Sequence, residues 1–571
     1  MSVLMLPVPP PSPSTPLRQG NLGLNIRGSE SPTALDVPEF VAPPTKFAPR
    51  ALCLVLAVLA LSACKGGAKK EGQPEGIVSL SAATEKEADP ATLAKEGGPR
   101  MGAILMAAPI YSKPDRRSPK LGYLRAGGTV VRGEKPAAYD DCQGGYYRVL
   151  PAGFICNGEE ASIDMKHPII RALTKRPDLS KPMPYPYAFV RAIAPNYYRP
   201  ATKAEQFQYE MRLKEHLRSY KRLQKKWDAI EVGANDVPLD PQGNAIGEPP
   251  TEAPDLSDQV LYNGDGNDAI PWFFQGGRKI PNISTFKVPD YAIITNRVAR
   301  HAGLALIGTF VGDNDRRFAM TTDARLVPTS KLKPARGSTF HGVDMKKGWE
   351  LPLAFVKVPD AFKYDTSRRA LDKKGKVAFH TAIQLTGKST KIGETRLVEA
   401  KDGTWLKDSD VAIAVKPSEL PAFAKTTKKW IDISILSQIL ILYEGTTPVY
   451  ATAVATGRDG LGDPKKTYST VRGTFKIREK HVTTTMDSHE VGNQFELRDV
   501  PWVQYFEAGY ALHAAPWHDE YGKPRSHGCI NLSPIDARRV FMWTDPPLPT
   551  DWHGVQAGEP TGEGTVVHIH P

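Results

Sequence analysis

Apolar positions along this chain fall into short runs rather than long periodic stretches. Ala103-Ile-Leu-Met106, Val130-Val131, Tyr146-Tyr-Arg-Val-Leu150 and Gly153-Phe-Ile-Cys156 are brief apolar runs separated by Pro, Gly and Asp clusters. That is the layout of short strands joined by turns. One segment has another period. Thr202-Lys-Ala-Glu205 is a capping box, and Tyr209, Leu213, Leu217 and Tyr220 recur at helical spacing, which predicts a packing helix to about Trp227. Residues 235–257, rich in Pro, Gly and Asp, read as a loop. Phe318–Leu332 and Arg396–Asp410 share a succession of strand, polar turn, short apolar strand and polar stop, and Tyr146–Cys156 is similar. They read equally well as copies of one β-barrel element or as convergent hairpins. Near the end, Ser533-Pro-Ile-Asp536 has the form of a helix start.

A different pattern lies near the N-terminus. Lys46 and Arg50 precede the apolar run Ala51–Leu61, which is followed by Ser62-Ala63-Cys64. A basic region, a short apolar core and small residues before a cut site make a secretory signal. The run falls short of the roughly 20 apolar residues a spanning helix needs. A buried helix or an uncleaved anchor is the bland alternative. Leu61-Ser-Ala-Cys64 resembles the lipobox of bacterial lipoproteins, which implies acylation of Cys64 and cleavage just before it. Lys65 in place of Asp implies, by the same resemblance, the outer rather than the inner membrane. The Pro-rich stretch before the signal is unusual for an export sequence and places the true start near Val41. Residues 66–99 lack any period and read as a flexible tether.

Composition narrows the rest. The 571 residues need several cores, and 51 prolines with 48 glycines favour β-rich modules. A formal charge of +12 favours acidic partners, but no basic-aromatic block suggests a nucleic-acid groove. Cys142 and Cys156 are near neighbours and, in an exported protein, candidates for a disulfide worth about 3 kcal/mol. Cys529 stands apart among histidines, as a nucleophile would.

The segment Gly509-Tyr-Ala-Leu-His513, followed by Ser526-His-Gly-Cys-Ile-Asn-Leu532, carries the chemistry. A thiol needs a base within hydrogen-bond reach, and both His513 and His527 qualify. Gly528 allows a sharp turn that brings backbone N–H groups against a reacting carbonyl. A helix starting just beyond Cys529 would modestly favour a thiolate. A metal site is the rival reading, but no pair has the helix spacing of a zinc motif and only one cysteine is at hand. His568 and His570 alternate along a final strand, while His518 and His553 read as surface or loop residues.

His513 with Ser526-His-Gly-Cys-Ile-Asn531 resembles the signature of L,D-transpeptidases, the YkuD-type catalytic domain. The resemblance runs from about Lys428 to His570. It takes in Trp430-Ile-Asp-Ile433, Gln438-Ile-Leu-Ile-Leu442, Val454-Ala-Thr-Gly457, Gly473-Thr-Phe-Lys-Ile477 and Val500-Pro-Trp502. It implies that Cys529 is the nucleophile, His513 the base and the Ala514 carbonyl its orienting group. Ser526, His527, Gly528 and Asn531 would make the turn that supports oxyanion and substrate. Val471 replaces the family's usual Pro, and the interval from His513 to Ser526 is slightly short, with Pro516, Trp517 and His518 inside it. The first is a minor change in a turn; the second bears on the acceptor pocket more than on the chemistry.

The expected chain is mainly β. It has a Pro-rich disordered extension (1–45), a lipoprotein signal (46–64), a tether (65–99), a module resembling bacterial SH3-like barrels (100–165), a mixed α+β region with further SH3-like elements (166–426) and an L,D-transpeptidase-like β-sandwich with short helices (427–571). The implied reaction is acyl transfer on peptidoglycan stem peptides through a thioester on Cys529 with release of D-Ala. Hydrolysis of the same peptides, as a carboxypeptidase or endopeptidase, is the alternative within the class. A non-catalytic wall-binding lipoprotein is the alternative outside it. No cofactor is implied, and the partners are wall peptides and, through the lipid anchor, a membrane.

Overall fold

Short strands, many of them buried on both faces, carry the architecture. The computed structural model describes residues 89–228, 270–277, 282–283, 288–335, 337–426, 428–488 and 495–571. The Pro-rich extension, the signal with Cys64, the loop at 235–257 and most of the tether lie outside the described residues. Residues 89–99 are not free tether: Ala91 O accepts from Lys135 N, and Pro99 O from Arg132 N.

The C-terminal region is a β-sandwich. One sheet runs in the order Val343–Asp344, Thr447–Ala453, Ile439–Glu444, Lys429–Ser434, Val566–His570, Gly473–Lys476. Trp430 pairs with Tyr443 in its antiparallel hairpin, and the last strand lies parallel to the first, Ile431 against Val567. The facing sheet holds Glu479–Ser488, Phe495–Glu507, Tyr510–Ala514, Ile530–Leu532 and Gly554–Gln556. Ile431, Ile433, Leu440 and Leu442 meet Val482, Trp502, Phe506, Leu512 and Ile530 in one core, because strand alternation sends every second side chain inward.

The helix Pro534–Trp543 adds Ala537, Val540 and Phe541 to that core. Ser533 caps it by accepting from Asp536 N at 3.1 Å, with Pro534 in its first turn. Buried Asp536 also accepts from Tyr450 Oη and Thr452 Oγ1, each at 2.5 Å, which fastens the helix start to the first sheet. At the other end, Lys480 Nζ donates to the carbonyls of Phe541, Thr544 and Pro546, satisfying acceptors that a helix C-terminus leaves free.

The second sheet does not stop at the sandwich. Gly303, in the strand Gly303–Gly312, pairs parallel with Leu497, and on the opposite side Gly122 and Tyr123 pair with Val555 and Gly554. Strands from both N-terminal regions therefore cover edges that would otherwise be open. Gly122 permits this approach, since a Cβ there would lie 2.2 Å from Gly554 O. Asp499 locks the junction. Its carboxylate accepts from Arg125 (Nη2 at 2.9 Å), from Thr483 Oγ1 at 2.7 Å and from Thr322 Oγ1, and its carbonyl accepts from Tyr187 Oη at 2.7 Å.

Two elements differ from the pattern reading. Ala103–Met106 is a corner between the strands Arg100–Ala103 and Ala107–Tyr111, because Ile104 N and Met106 N donate to Glu160 O and Ile283 O. The long helix is two, Lys203–Tyr209 and Leu213–Asp228. Its capping box at Thr202 and Glu205 is present, but Arg212 adopts φ 49°. The break lets Glu210 enter the interior, where it pairs with Arg316 at 2.6 Å and accepts from Tyr197 Oη. The two similar segments do share a layout: Arg316–Thr321, Leu326–Pro328 and a 3-10 turn at Thr329–Lys331 match Thr395–Ala400, Trp405–Lys407 and a turn at Asp408–Asp410. Cys142 and Cys156 are joined in a disulfide.

Candidate active site

Three strands place the signature residues. The strand Tyr510–Ala514 pairs antiparallel with Phe495–Glu507 and parallel with Ile530–Leu532. The parallel register sets His513 against Asn531 and Leu512 against Ile530. Cys529 precedes that strand by one residue, so with a period of two it shares the face of Asn531 and His513. Cys529 and His513 are both buried, at 2% and 0% exposure.

The turn before Cys529 is tied from several sides. Ser526 Oγ donates to Cys529 O and accepts from Gly528 N at 3.0 Å. Thr470 Oγ1 donates to Gly528 O at 2.9 Å and accepts from Gly457 N at 2.8 Å. Gly528 has φ 121°, and a Cβ there would sit 2.7 Å from Tyr510 Cε1, so no other residue fits without movement. One expectation changes here: the Gly528 N–H is held by Ser526 and is not free for a reacting carbonyl.

His513 has the tautomer that a base at this position would need. Its Nδ1 lies 2.8 Å from Ala514 O. A carbonyl only accepts, so Nδ1 carries the proton and Nε2, which has no partner, presents its lone pair. Burial holds the ring down to about 4, against the opposing hydrogen bond to Ala514. Burial pushes the Cys529 thiol up to about 11, with the Ala511 backbone opposing. The helix was expected to favour a thiolate. It begins at Pro534, beyond an intervening strand, so its dipole does not act on the sulfur at close range. At neutral pH the resting pair is a neutral thiol and a neutral imidazole.

His527 takes another role in the geometry. Its ring stacks on Tyr468 with centroids 3.9 Å apart, and the Arg458 guanidinium lies over the Tyr468 ring at 4.1 Å. Burial and Arg458 hold it down to about 3. It belongs to a turn and not to an extended strand, so its two-residue spacing from Cys529 does not set it on the His513 face.

Several contributors were not visible in the motif. Thr470 heads the Thr-x-x-Gly-x-Phe pattern ending at Phe475, and that position was the available signal. Phe189, from the region before the sandwich, shares an apolar cluster with Cys529, Met486, Leu497 and Trp517; nothing local in sequence links it to the site. His518 and His553 are not surface residues. His518 is 6% exposed and lies 3.1 Å from the Asn531 amide, and His553, 3% exposed, bonds to Thr483. His568 and His570 do stack on one face of the last strand.

The region that carries this site matches known proteins. Residues 428–569 match the family model of the L,D-transpeptidase catalytic domain, YkuD. A curated relative, "Putative L,D-transpeptidase YciB" of Bacillus subtilis (strain 168), is 24% identical over 174 residues, covering 28% of this chain and 80% of that protein. Among solved structures, the L,D-transpeptidase of Xylanimonas cellulosilytica DSM 15894 is 22% identical, covering 28% of this chain and 64% of that one at a TM-score of 0.19. The catalytic domain of the E. faecium L,D-transpeptidase is 20% identical, covering 25% of this chain and 98% of that one at a TM-score of 0.20. Residues 428–569 of this chain are an L,D-transpeptidase catalytic domain of the YkuD family.

Proposed function

We propose that this protein is a cysteine acyltransferase of peptidoglycan, an L,D-transpeptidase with Cys529 as nucleophile and His513 as base. The observation that carries the reading is the pairing of His513 with Asn531, which puts an imidazole lone pair and the thiol on one face. In the reaction, Nε2 of His513 takes the Cys529 proton as sulfur attacks the carbonyl between an L-centre and a terminal D-residue of a wall tetrapeptide. The C–N bond breaks, the leaving D-Ala amine takes the proton from His513, and the acyl group remains as a thioester. An acceptor amine then attacks the thioester, and Cys529 regains its proton. Water in place of the amine gives the carboxypeptidase outcome; cleavage of an existing crosslink gives the endopeptidase outcome. The site leaves that choice to the acceptor.

The test is incubation of the protein with a disaccharide-tetrapeptide, read by intact-protein and product mass spectrometry, with Cys529→Ala as control. A Cys529-dependent acyl adduct with crosslinked dimer supports transfer, and D-Ala release without dimer supports hydrolysis. Wall binding with neither product would leave the non-catalytic lipoprotein. We further propose export and anchoring through Cys64 on the periplasmic side, at the outer membrane. Metabolic labelling with an alkyne fatty acid checks this: label that survives Cys64→Ala would overturn it.

A further inference from the structure

His518 is the buried histidine beside the site that the reaction above leaves without work. Its Nδ1 lies 3.1 Å from the backbone N of Glu520. That N–H can only donate, so Nδ1 bears a lone pair and no proton. Burial, with Arg525, His513 and His380 nearby, holds the ring well below the usual histidine range. The ring is therefore neutral at pH 7 and its single proton sits on Nε2. Opposite Nε2, at 3.1 Å, stands the Asn531 side-chain nitrogen, while Asn531 Oδ1, also buried, has no partner. Two N–H donors cannot share a hydrogen bond. The two ends of an amide are alike in size, and a half turn of the Asn531 side chain removes both faults. Oδ1 then accepts from His518, and the NH2 takes the position that lacked a partner.

That NH2 is costly to bury unless an acceptor arrives. Asn531 lies beside His513 in register and two residues beyond Cys529, so the acceptor arrives at the reacting face. The Gly528 N–H is already engaged by Ser526, so it is not the group that meets that oxygen. We infer that His518 is a positioning residue: by donating to Asn531 Oδ1 it turns the Asn531 NH2 toward the Cys529–His513 face, where it donates to the carbonyl oxygen under attack. An uncharged donor suits an uncharged peptide oxygen that gains charge as the C–S bond forms. The inference rests on the acyl-transfer reading, with Asn531 touching substrate and His518 acting through it.

The test compares the full chain with His518→Ala, His518→Gln, Asn531→Ala and the His518→Ala/Asn531→Ala double variant. Single-turnover acylation of Cys529 by a disaccharide-tetrapeptide is followed by mass spectrometry as donor concentration varies. His518→Ala slows acylation at saturating donor by roughly ten- to hundredfold, the range for removing a group that orients a site residue, and leaves the half-saturating concentration nearly unchanged. His518→Gln, whose amide can donate to Oδ1, recovers most of the rate. The double variant is no slower than Asn531→Ala. Iodoacetamide alkylation of Cys529, which needs no wall substrate, keeps its wild-type pH profile in His518→Ala. Wild-type acylation by His518→Ala, losses that multiply in the double variant, or an altered alkylation profile would each overturn the inference. If the wild-type chain forms no adduct, the acyl-transfer reading itself fails. The tautomer is then decided by 15N NMR of histidine-labelled protein: a proton on Nε2 of His518 supports the orientation, and one on Nδ1 overturns it.

Discussion

At the scale of single residues, the protonation of the Cys529–His513 pair decides the pH behaviour. A base must be neutral to accept a proton, and His513, held down to about 4, is neutral from there upward. Cys529, pushed up to about 11, stays a thiol until strongly alkaline pH. Acylation is therefore expected to be flat from about pH 5 to 9 and to fall as pH drops through about 4. Single-turnover acylation against pH checks this, and a limb centred near 6.5 would show that burial does not set the base. The sequence alone had suggested a thiolate modestly favoured by the helix just beyond Cys529. It could not show how completely the fold would bury both groups, and burial penalises whichever form is charged. Gly528 gives a second expectation at this scale. Gly528→Ala would force a φ of 121° on an L-residue and a contact with Tyr510. The expected cost is about 1–3 kcal/mol of stability with loss of acylation, checked by thermal melting and adduct formation. A fully active variant would refute the claim that the turn needs glycine.

At the scale of elements, the junction around Asp499 joins strands from three parts of the sequence. The Arg125 and Asp499 side chains are 12% and 2% exposed, so removing one partner strands the other in the interior. Arg125→Met is expected to lower stability by about 3–5 kcal/mol. Arg125→Met with Asp499→Asn should recover part of that, since the orphaned charge is gone. Equilibrium denaturation of both variants checks it, and additive losses would argue against a coupled pair. The start of the helix Pro534–Trp543 was legible because capping is a local rule, written in Ser533, Pro534 and Asp536. The break at Arg212 was not, because a buried ion pair with Arg316 drives it and Arg316 lies over a hundred residues away.

At the scale of the whole molecule, buried histidines set the response to acid. His380 is held down to about 3, His513 to about 4 and His527 to about 3, with His518 and His553 also lowered, all chiefly by burial. Their folded pKa values lie below the unfolded value near 6.5. Between those limits the unfolded chain binds more protons, so stability is full above about 6.5 and falls as pH drops toward 4. Melting temperature from pH 7.5 to 4.5 should fall, and less steeply in His553→Gln; an unchanged melting temperature would contradict it. The covered edges make a second expectation. Residues 427–571 expressed alone would expose the edges now paired with Gly303 and with Gly122 and Tyr123, so that fragment should aggregate where the longer chain does not. Size-exclusion chromatography of both checks it.

What the sequence by itself determined is local: a mainly β chain, the capped helix starts, the turn at Gly528 before Cys529, and the family resemblance of the C-terminal region through a motif compressed into few residues. These follow from near-neighbour rules of alternation, capping and turn geometry. What only tertiary structure decided is relational. His518, read as a surface or loop residue, is a buried partner of Asn531, Phe189 joined the wall around Cys529, and Asp499 became the tie between Arg125 and Thr322. Burial and hydrogen-bond partners depend on segments far apart in the chain, and no local pattern records which of them will meet.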